Sequence, residues 1–202
     1  MRSGCIQPTM RKVFFIAASL LCLALISLAQ GPSILKPPKG SQMAIIVFED
    51  LQCPMCRVTS PVVEQAAKSY KIPLVRYDFP LPMHNWSFDA AVMARYFERQ
   101  SKDLGDAFRV YIFQHQTEIF PSNLRTFADR FAAEHKTALP FVVDPKGELA
   151  AAVIADRDLG KRVGIDHTPT VYVVNAKTGS TPVVEVKKPQ EELFQTIDAL
   201  KR

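Results

Sequence analysis

The stretch MAIIVFEDLQCPMC, residues 43–56, decides the fold. It begins with a short apolar run rich in β-branched side chains, Met43 to Phe48, which predicts a buried β-strand. Pro54 suits the first turn of a helix, because the N–H that proline lacks has no helical partner there. Apolar residues then repeat every four positions up to Tyr70. We therefore expect a strand, then a helix over 54–70, with Cys53 and Cys56 at the junction.

The rest of the chain extends this unit to an α/β fold. Residues 73–79 predict a second strand, so the body opens as a βαβ unit with a parallel pair. Helical periodicity then dominates residues 86–165. Strands at 170–174 and 182–186, separated by turn residues, predict a hairpin, and a last helix spans 191–200. We expect the four strands to share one sheet with helices on both faces.

The N-terminus has the composition of an export signal. Arg11 and Lys12 precede an uncharged, mostly apolar run over residues 13–28, and small residues before position 30 predict cleavage after Ala29. An uncleaved membrane anchor is the alternative, although 16 apolar residues are few for a spanning helix, which needs about 20. The prediction is a signal peptide over 1–29, a Pro- and Gly-rich linker over 30–42 and one domain over 43–202.

The charge of the chain gives no case for nucleic-acid binding. The formal charge is +5, from 25 basic and 20 acidic residues. Three of the basic residues belong to the signal, so the mature body carries +2. A near-neutral body lacks the electrostatic surface that binds phosphates.

Removal of the signal leaves two cysteines, Cys53 and Cys56, in a compartment where disulfides form. A structural disulfide usually closes a longer loop, because a short loop loses little chain entropy on closure. A tightly spaced pair in an exported protein therefore indicates redox chemistry. At the start of a helix, Cys53 has free N–H groups and the positive end of the dipole beside it, which favours the thiolate. We assign Cys53 as the nucleophile and Cys56 as the resolving thiol.

Thr168-Pro169, just before a strand, is the second notable motif. An X–Pro bond is where a cis peptide is affordable, and a cis bond would leave the neighbouring backbone free to pair with an extended substrate. From position alone, however, the trans form is the better prediction, because about 5–6% of X–Pro bonds are cis.

Three motifs together resemble the DsbA family of thioredoxin-fold proteins, in its Asp-x-Gln-Cys-Pro-x-Cys branch. They are the run from Glu49 to Cys56, the tetrapeptide Asp78 to Leu81, and Thr168 to Thr170. The resemblance covers residues 43–202 and implies a thioredoxin fold with a helical insertion, about 86–165, between the second and third strands. It also implies a cis peptide before Pro169. The substrate-binding residues that it implies are Pro54, Met55, Thr168 and Pro169.

The chain departs from the family pattern at two positions. Where the family often has a buried acid six residues before the first cysteine, this chain has Val47. Glu49 or Asp50 is a candidate substitute, but charges solvated in a loop are the favoured interpretation. Two residues before Pro169, where Gly is common, stands His167, which is either a stabiliser of the Cys53 thiolate or a plain surface residue.

His84 and Trp86 follow the second strand. They resemble a histidine that is commonly found at this place in the branch. They are candidates for the rim of the active site, with a surface loop and a buried tryptophan as the alternative.

The functional prediction is an exported thiol:disulfide oxidoreductase that exchanges a Cys53–Cys56 disulfide with cysteines of exported proteins. On family grounds we favour an oxidase in the periplasm or at the outer face of the cytoplasmic membrane, reoxidised by a membrane quinone-linked oxidase. A reductase, for example one serving cytochrome maturation, is the alternative within the fold. No cofactor beyond the redox-active disulfide is expected, and we expect a monomer.

A thiolate metal-binding module is the alternative from another class. Four ligands would be needed for a closed zinc site, and the histidines of this chain show no close His-x₃₋₅-His pair. We therefore expect no metal site.

Overall fold

The computed structural model describes residues 34–183 and 189–201, with side chains over 34–179 and 191–201. Strands and helices follow the predicted order, with four helices between the second and third strands. The strands are β1 Met43–Glu49, β2 Leu74–Asp78, β3 Thr170–Asn175 and β4 Gly179–Val183. The helices are α1 Pro54–Tyr70, α2 Ser87–Gln100, α3 Lys102–Gln114, α4 Leu124–Glu134, α5 Glu148–Arg162 and α6 Pro189–Lys201.

The four strands form one sheet in the order β2-β1-β3-β4. Strand β1 pairs with β2 in parallel and with β3 antiparallel, and β3 pairs antiparallel with β4. All seven residues of the central strand β1 are buried. This burial explains its nearly continuous apolar sequence, since a strand covered on both faces has no solvent side to alternate with. The fold is thus a thioredoxin fold with the helical insertion that was expected.

Two apolar layers cover the sheet. On one face, residues of β1 and β3 pack against helices α1 and α6, with Val63 and Ile197 fully buried between them. On the other face, Phe48 lies among Tyr77, Phe79 and Tyr172 in a cluster of aromatic rings. Gly160 of α5 lies directly on this ring cluster, because a Cβ there would come within 2.6 Å of Phe79. The sheet therefore has helices on both faces.

A cluster of buried charges joins the insertion to the ends of β1 and β2. We call this set the charge cluster; its members are Glu49, Arg76, Asp78, Arg95 and Arg109. From α3, Arg109 donates to both oxygens of Asp78 at 2.5 and 3.1 Å. From α2, Arg95 donates to Asp78 at 2.6 Å and also pairs with Asp156 of α5. The pairing with Asp156 explains why an acid falls on the otherwise apolar face of α5.

The predicted linker and last strand can each be compared with the structure. The signal peptide predicted over 1–29 lies outside the described residues. Within the predicted linker, Leu35 is buried in the cluster that holds Phe48 and Phe79, so this part of the linker packs on the body. Strand β4 begins earlier than expected, because Asn175 pairs directly with Gly179, whose φ of +91° suits a tight turn. Residues 184–186 of the predicted strand lie outside the described residues.

Candidate functional site

The two cysteines lie where the strand β1 gives way to helix α1. Cys53 is the N-cap residue of α1 and Pro54 takes its first turn, as the sequence predicts. Both cysteines are free thiols in the structure. They border an apolar cluster that includes Trp86 and the aromatic core of the insertion. The site therefore lies at the junction between the sheet and the inserted helices.

The fold shifts the pKa values of the two thiols in opposite directions. The pKa of Cys53 falls to about 5, first because the thiol of Cys56 donates a hydrogen bond to it, although burial acts in the opposite direction. Burial raises the pKa of Cys56 well above the ordinary value, and the bond to Cys53 adds to this rise. At neutral pH the pair therefore holds one thiolate and one thiol, in the order that nucleophile and resolving thiol need.

Cys53 is more buried than the sequence predicts. Its exposed fraction is 6%, against 1% for Cys56, so it is the more accessible of the two but not an open thiol. The reason is the segment before β3, which packs on it. Sγ of Cys53 lies 3.3 Å from the carbonyl oxygen of Thr168, to which the protonated thiol donates. The backbone of Thr168 therefore restricts access to Sγ of Cys53.

The Thr168–Pro169 peptide bond is cis, as the family resemblance implies. Both residues are buried beside Cys53, whereas Pro54 and Met55 are exposed. The hydroxyl of Thr168 has no hydrogen-bond partner within the described part of the chain. When Cys53 is ionised, this hydroxyl is a donor in reach, and it contributes to the lowered pKa of Cys53. The substrate-binding roles assigned to these four residues stay predictions.

The interpretation of Glu49 and Asp50 as solvated loop charges is wrong. Their exposed fractions are 2% and 1%. Glu49 ends β1 on the same face as Val47, because side chains alternate along a strand. Val47 itself packs in the apolar layer under α1. Glu49 accepts from Arg76 at 2.7 Å and lies 3.5 Å from Arg109, and burial still raises its pKa despite these two cations.

Asp50 turns the other way and makes a different set of contacts. Its carboxylate accepts from the backbone N–H groups of Gln52 and Leu81, each at 2.7 Å. It also lies 2.7 Å from Nδ1 of His84 and accepts a hydrogen bond from the hydroxyl of Ser87. Its backbone N–H donates to Sγ of Cys56 at 3.3 Å. His84 thus lies at the rim of the site, as the sequence suggested, and reaches it through Asp50.

Two glutamines not predicted as site residues hold the backbone around the cysteines. Gln116 donates to the carbonyl oxygens of Leu51 and Cys53 at 2.8 and 3.1 Å. The side chain of Gln52 accepts from the backbone N–H of Trp86 at 2.9 Å. Gln52 belongs to the quoted motif and was recognisable from it. Gln116 follows α3, and no local pattern indicates its role.

His167 does not take part in the thiol pair. Its ring is mostly exposed and lies 2.5 Å from the carboxylate of its neighbour Asp166. The hydrogen bonds that lower the pKa of Cys53 come from Cys56, Thr168 and the backbone of residues 55 and 56. The alternative of a plain surface histidine therefore fits the structure better.

A metal site and a membrane-spanning helix are the two remaining alternatives to be compared with the structure. Over residues 34–183 and 189–201, no three His, Cys, Asp or Glu side chains come together as a metal site would require. No helix in that same part of the chain is both long and apolar enough to cross a bilayer. The apolar run over 13–28 lies outside these ranges.

Comparisons with known proteins agree with this geometry. A family model described as thioredoxin matches residues 39–199. A search of curated proteins gives no match. Among solved structures, DsbA2 of Pseudomonas aeruginosa has a TM-score of 0.61 and 20% identity, covering 84% of this chain and 94% of that one.

Two further solved structures extend the likeness over more of the chain. The thiol-disulfide exchange protein alpha-DsbA2 of Wolbachia pipientis has a TM-score of 0.62 and 16% identity over 94% of this chain and 96% of its own. A periplasmic thioredoxin-like protein of Salmonella enterica serovar Typhimurium has a TM-score of 0.59 and 18% identity, covering 90% and 93%. At these identities the likeness shows a common fold.

Proposed function

Because the chain belongs to the thioredoxin family, we propose that it is an exported thiol:disulfide oxidoreductase acting mainly as an oxidase. In its oxidised form it would carry a Cys53–Cys56 disulfide and pass this disulfide to cysteine pairs of exported proteins. A substrate thiolate attacks Cys53, a mixed disulfide forms, and a second substrate thiol releases the oxidised product. A membrane quinone-linked oxidase is the proposed partner that restores the disulfide.

The observation that supports oxidation over reduction is the pKa of Cys53, about 5. A stabilised thiolate favours the reduced form of the pair and so makes the disulfide a stronger oxidant. Known pairs follow this relation, with a nucleophile pKa of about 3.5 in DsbA and about 7 in thioredoxin. The value for Cys53 lies between them. The similar proteins that are described as exchange proteins or as periplasmic support the same class and compartment.

The test is the reduction potential of the pair, measured by equilibration with glutathione. We expect a value nearer the potential of about −120 mV of DsbA than that of about −270 mV of thioredoxin. A value near the second figure would favour the reductase instead.

Two variants check the roles of the thiols. Cys53→Ser should abolish exchange, whereas Cys56→Ser should trap mixed disulfides with substrate proteins. Stoichiometric metal on the reduced protein that blocks titration of both thiols would instead favour the metal-binding module.

A further inference from the structure

Asp50 is the residue that contacts both cysteines and the loop beyond β2. Its backbone N–H donates to Sγ of Cys56 at 3.3 Å, and its carbonyl oxygen accepts from the N–H of Cys53 at 3.0 Å. Its side chain is fully buried and accepts from the N–H of Leu81 and the hydroxyl of Ser87. The rim loop, residues 79–86 between β2 and α2, is thereby tied to the cysteine segment.

The link between the rim loop and the cysteine segment depends on the acceptor oxygens of the Asp50 carboxylate and not only on the shape of the side chain. Four groups point at its two oxygens: the N–H of Gln52, the N–H of Leu81, the ring of His84 and the hydroxyl of Ser87. A carboxylate can accept all four, whereas an amide of the same size presents an NH₂ group to one pair of donors. Substitution by Asn should therefore loosen the segment without creating a cavity.

We propose that Asp50 is a positioning residue for the exchange reaction, whose buried carboxylate holds its own backbone N–H against the sulfur of Cys56. The inference rests on the proposed function. When a substrate thiolate attacks Sγ of Cys53, a substrate–Cys53 bond forms and the Cys53–Cys56 bond breaks. The electron pair of the broken bond goes to Sγ of Cys56, which leaves as a thiolate and then takes a proton from solvent. The Asp50 N–H meets that charge as it develops.

The surroundings of Cys56 make this donor important. Burial raises the pKa of Cys56, so its sulfur is a poor leaving group in its apolar setting. The backbone N–H of Asp50 acts against this effect. Leaving-group acidity is one of the factors that set the rate of thiol–disulfide exchange. A shift of this one donor should therefore slow the step in which Cys56 leaves.

The experiment is the reaction of the oxidised protein with reduced glutathione, followed by stopped-flow fluorescence. The single tryptophan, Trp86, lies in the same apolar cluster as both cysteines and reports the change of state. Asp50→Asn should form the mixed disulfide about tenfold more slowly than the wild type. Asp129→Asn is the matched control, because Asp129 pairs with Arg125 on the exposed face of α4, and its rate should be unchanged.

A second measurement separates positioning from general damage. In the reduced protein, alkylation of Cys53 by iodoacetamide depends on the Cys53 thiolate, whose pKa is lowered by Cys56, Thr168 and the neighbouring backbone. Asp50→Asn should leave this alkylation rate and its pH midpoint unchanged. An equal loss in both reactions would show a merely structural role and overturn the inference.

Ser87→Ala repeats the test if Asp50→Asn does not fold. It removes one donor from the carboxylate and should slow the glutathione reaction about threefold, with alkylation again unchanged. If the variants that fold react with glutathione at the wild-type rate, the inference is overturned and the proposed function still stands. If the wild type itself does not react with glutathione, the proposed function fails instead.

Discussion

Glu49 and Asp50 are adjacent acids, both buried, and their carboxylates contact different sets of partners. Glu49 joins the charge cluster, where its partners are the guanidinium groups of Arg76 and Arg109. Among the described residues, the carboxylate of Asp50 has one ionisable partner, His84, and otherwise accepts hydrogen bonds from neutral groups. At the end of β1 the two side chains point in different directions, so that one acid faces Arg76 and Arg109 and the other faces the rim loop.

The comparison shows two ways to bury a carboxylate. In the charge cluster, desolvation is offset by cations from α3 and β2, so the acid fastens the insertion to the sheet. At Asp50, desolvation is offset by several aligned dipoles, and the carboxylate orients the backbone that carries the thiols. We therefore expect changes in the charge cluster to act chiefly on stability and changes around Asp50 to act chiefly on exchange rates.

The largest expected effect is the loss of Arg109. Arg109→Leu removes the guanidinium that bonds both oxygens of Asp78 and leaves that carboxylate buried with Arg95 alone. We expect a loss of about 3–5 kcal/mol in the free energy of unfolding, measured in urea. The control is Arg99→Leu on α2, which breaks an exposed pair with Glu148 and should cost less than about 1 kcal/mol.

Alkylation of Cys53 in the folded fraction of Arg109→Leu tests whether the charge cluster and the thiol site are independent. Its Cys53 should be alkylated at the wild-type rate, because the charge cluster is not among the groups that lower the pKa of Cys53. A small loss of stability combined with a large loss of alkylation rate would show that the two regions cannot be treated separately.

A second, smaller effect is the pH dependence of the reduced protein. The pKa of Cys53 is about 5 in the folded protein, against an ordinary thiol value of 9.0, so the folded state binds this proton less tightly. Its contribution to stability is complete above pH 9 and disappears as the pH falls through 5. After allowance for screening by solvent, we expect about 2 kcal/mol between pH 9 and pH 4.

Denaturant unfolding of the reduced wild type and of reduced Cys53→Ser isolates this contribution. The stability difference between the two proteins should grow as the pH rises from 5, while groups that do not interact with Cys53 cancel. A difference that stays constant from pH 4 to 9 would mean that the thiolate is not held by the fold.

Much of the fold could be predicted because its signals are local. The apolar run of β1, the proline after Cys53 and the four-residue spacing to Tyr70 define a strand and a helix within one segment, and the structure has both. The start of β4 was missed by a few residues. It depends on the pairing of Asn175 with Gly179, and turn residues alone do not indicate where pairing resumes.

The site was only partly predictable, because burial of an acid depends on partners far along the chain. The spacing of Cys53 and Cys56 identifies the thiol pair. Nothing near Glu49 in the sequence indicates that Arg109, 60 residues later, reaches it. One signal was available: Arg76 and Asp78 stand inside an otherwise apolar strand pattern, and charges there indicate buried ion pairs.

The smallest expected effect comes from the opposite influences of the two acids on the pKa of Cys56. The charge of Glu49 raises the pKa of Cys56, whereas the backbone N–H of Asp50 lowers it. Glu49→Gln should therefore speed the release of Cys56 in the glutathione reaction about two- to threefold, a fraction of one pKa unit. Glu64→Gln is the control, because Glu64 also contacts Arg76 but lies half exposed and does not act on Cys56. If Glu49→Gln slows the reaction as Asp50→Asn is expected to, both acids position the same sulfur and the division between them is wrong.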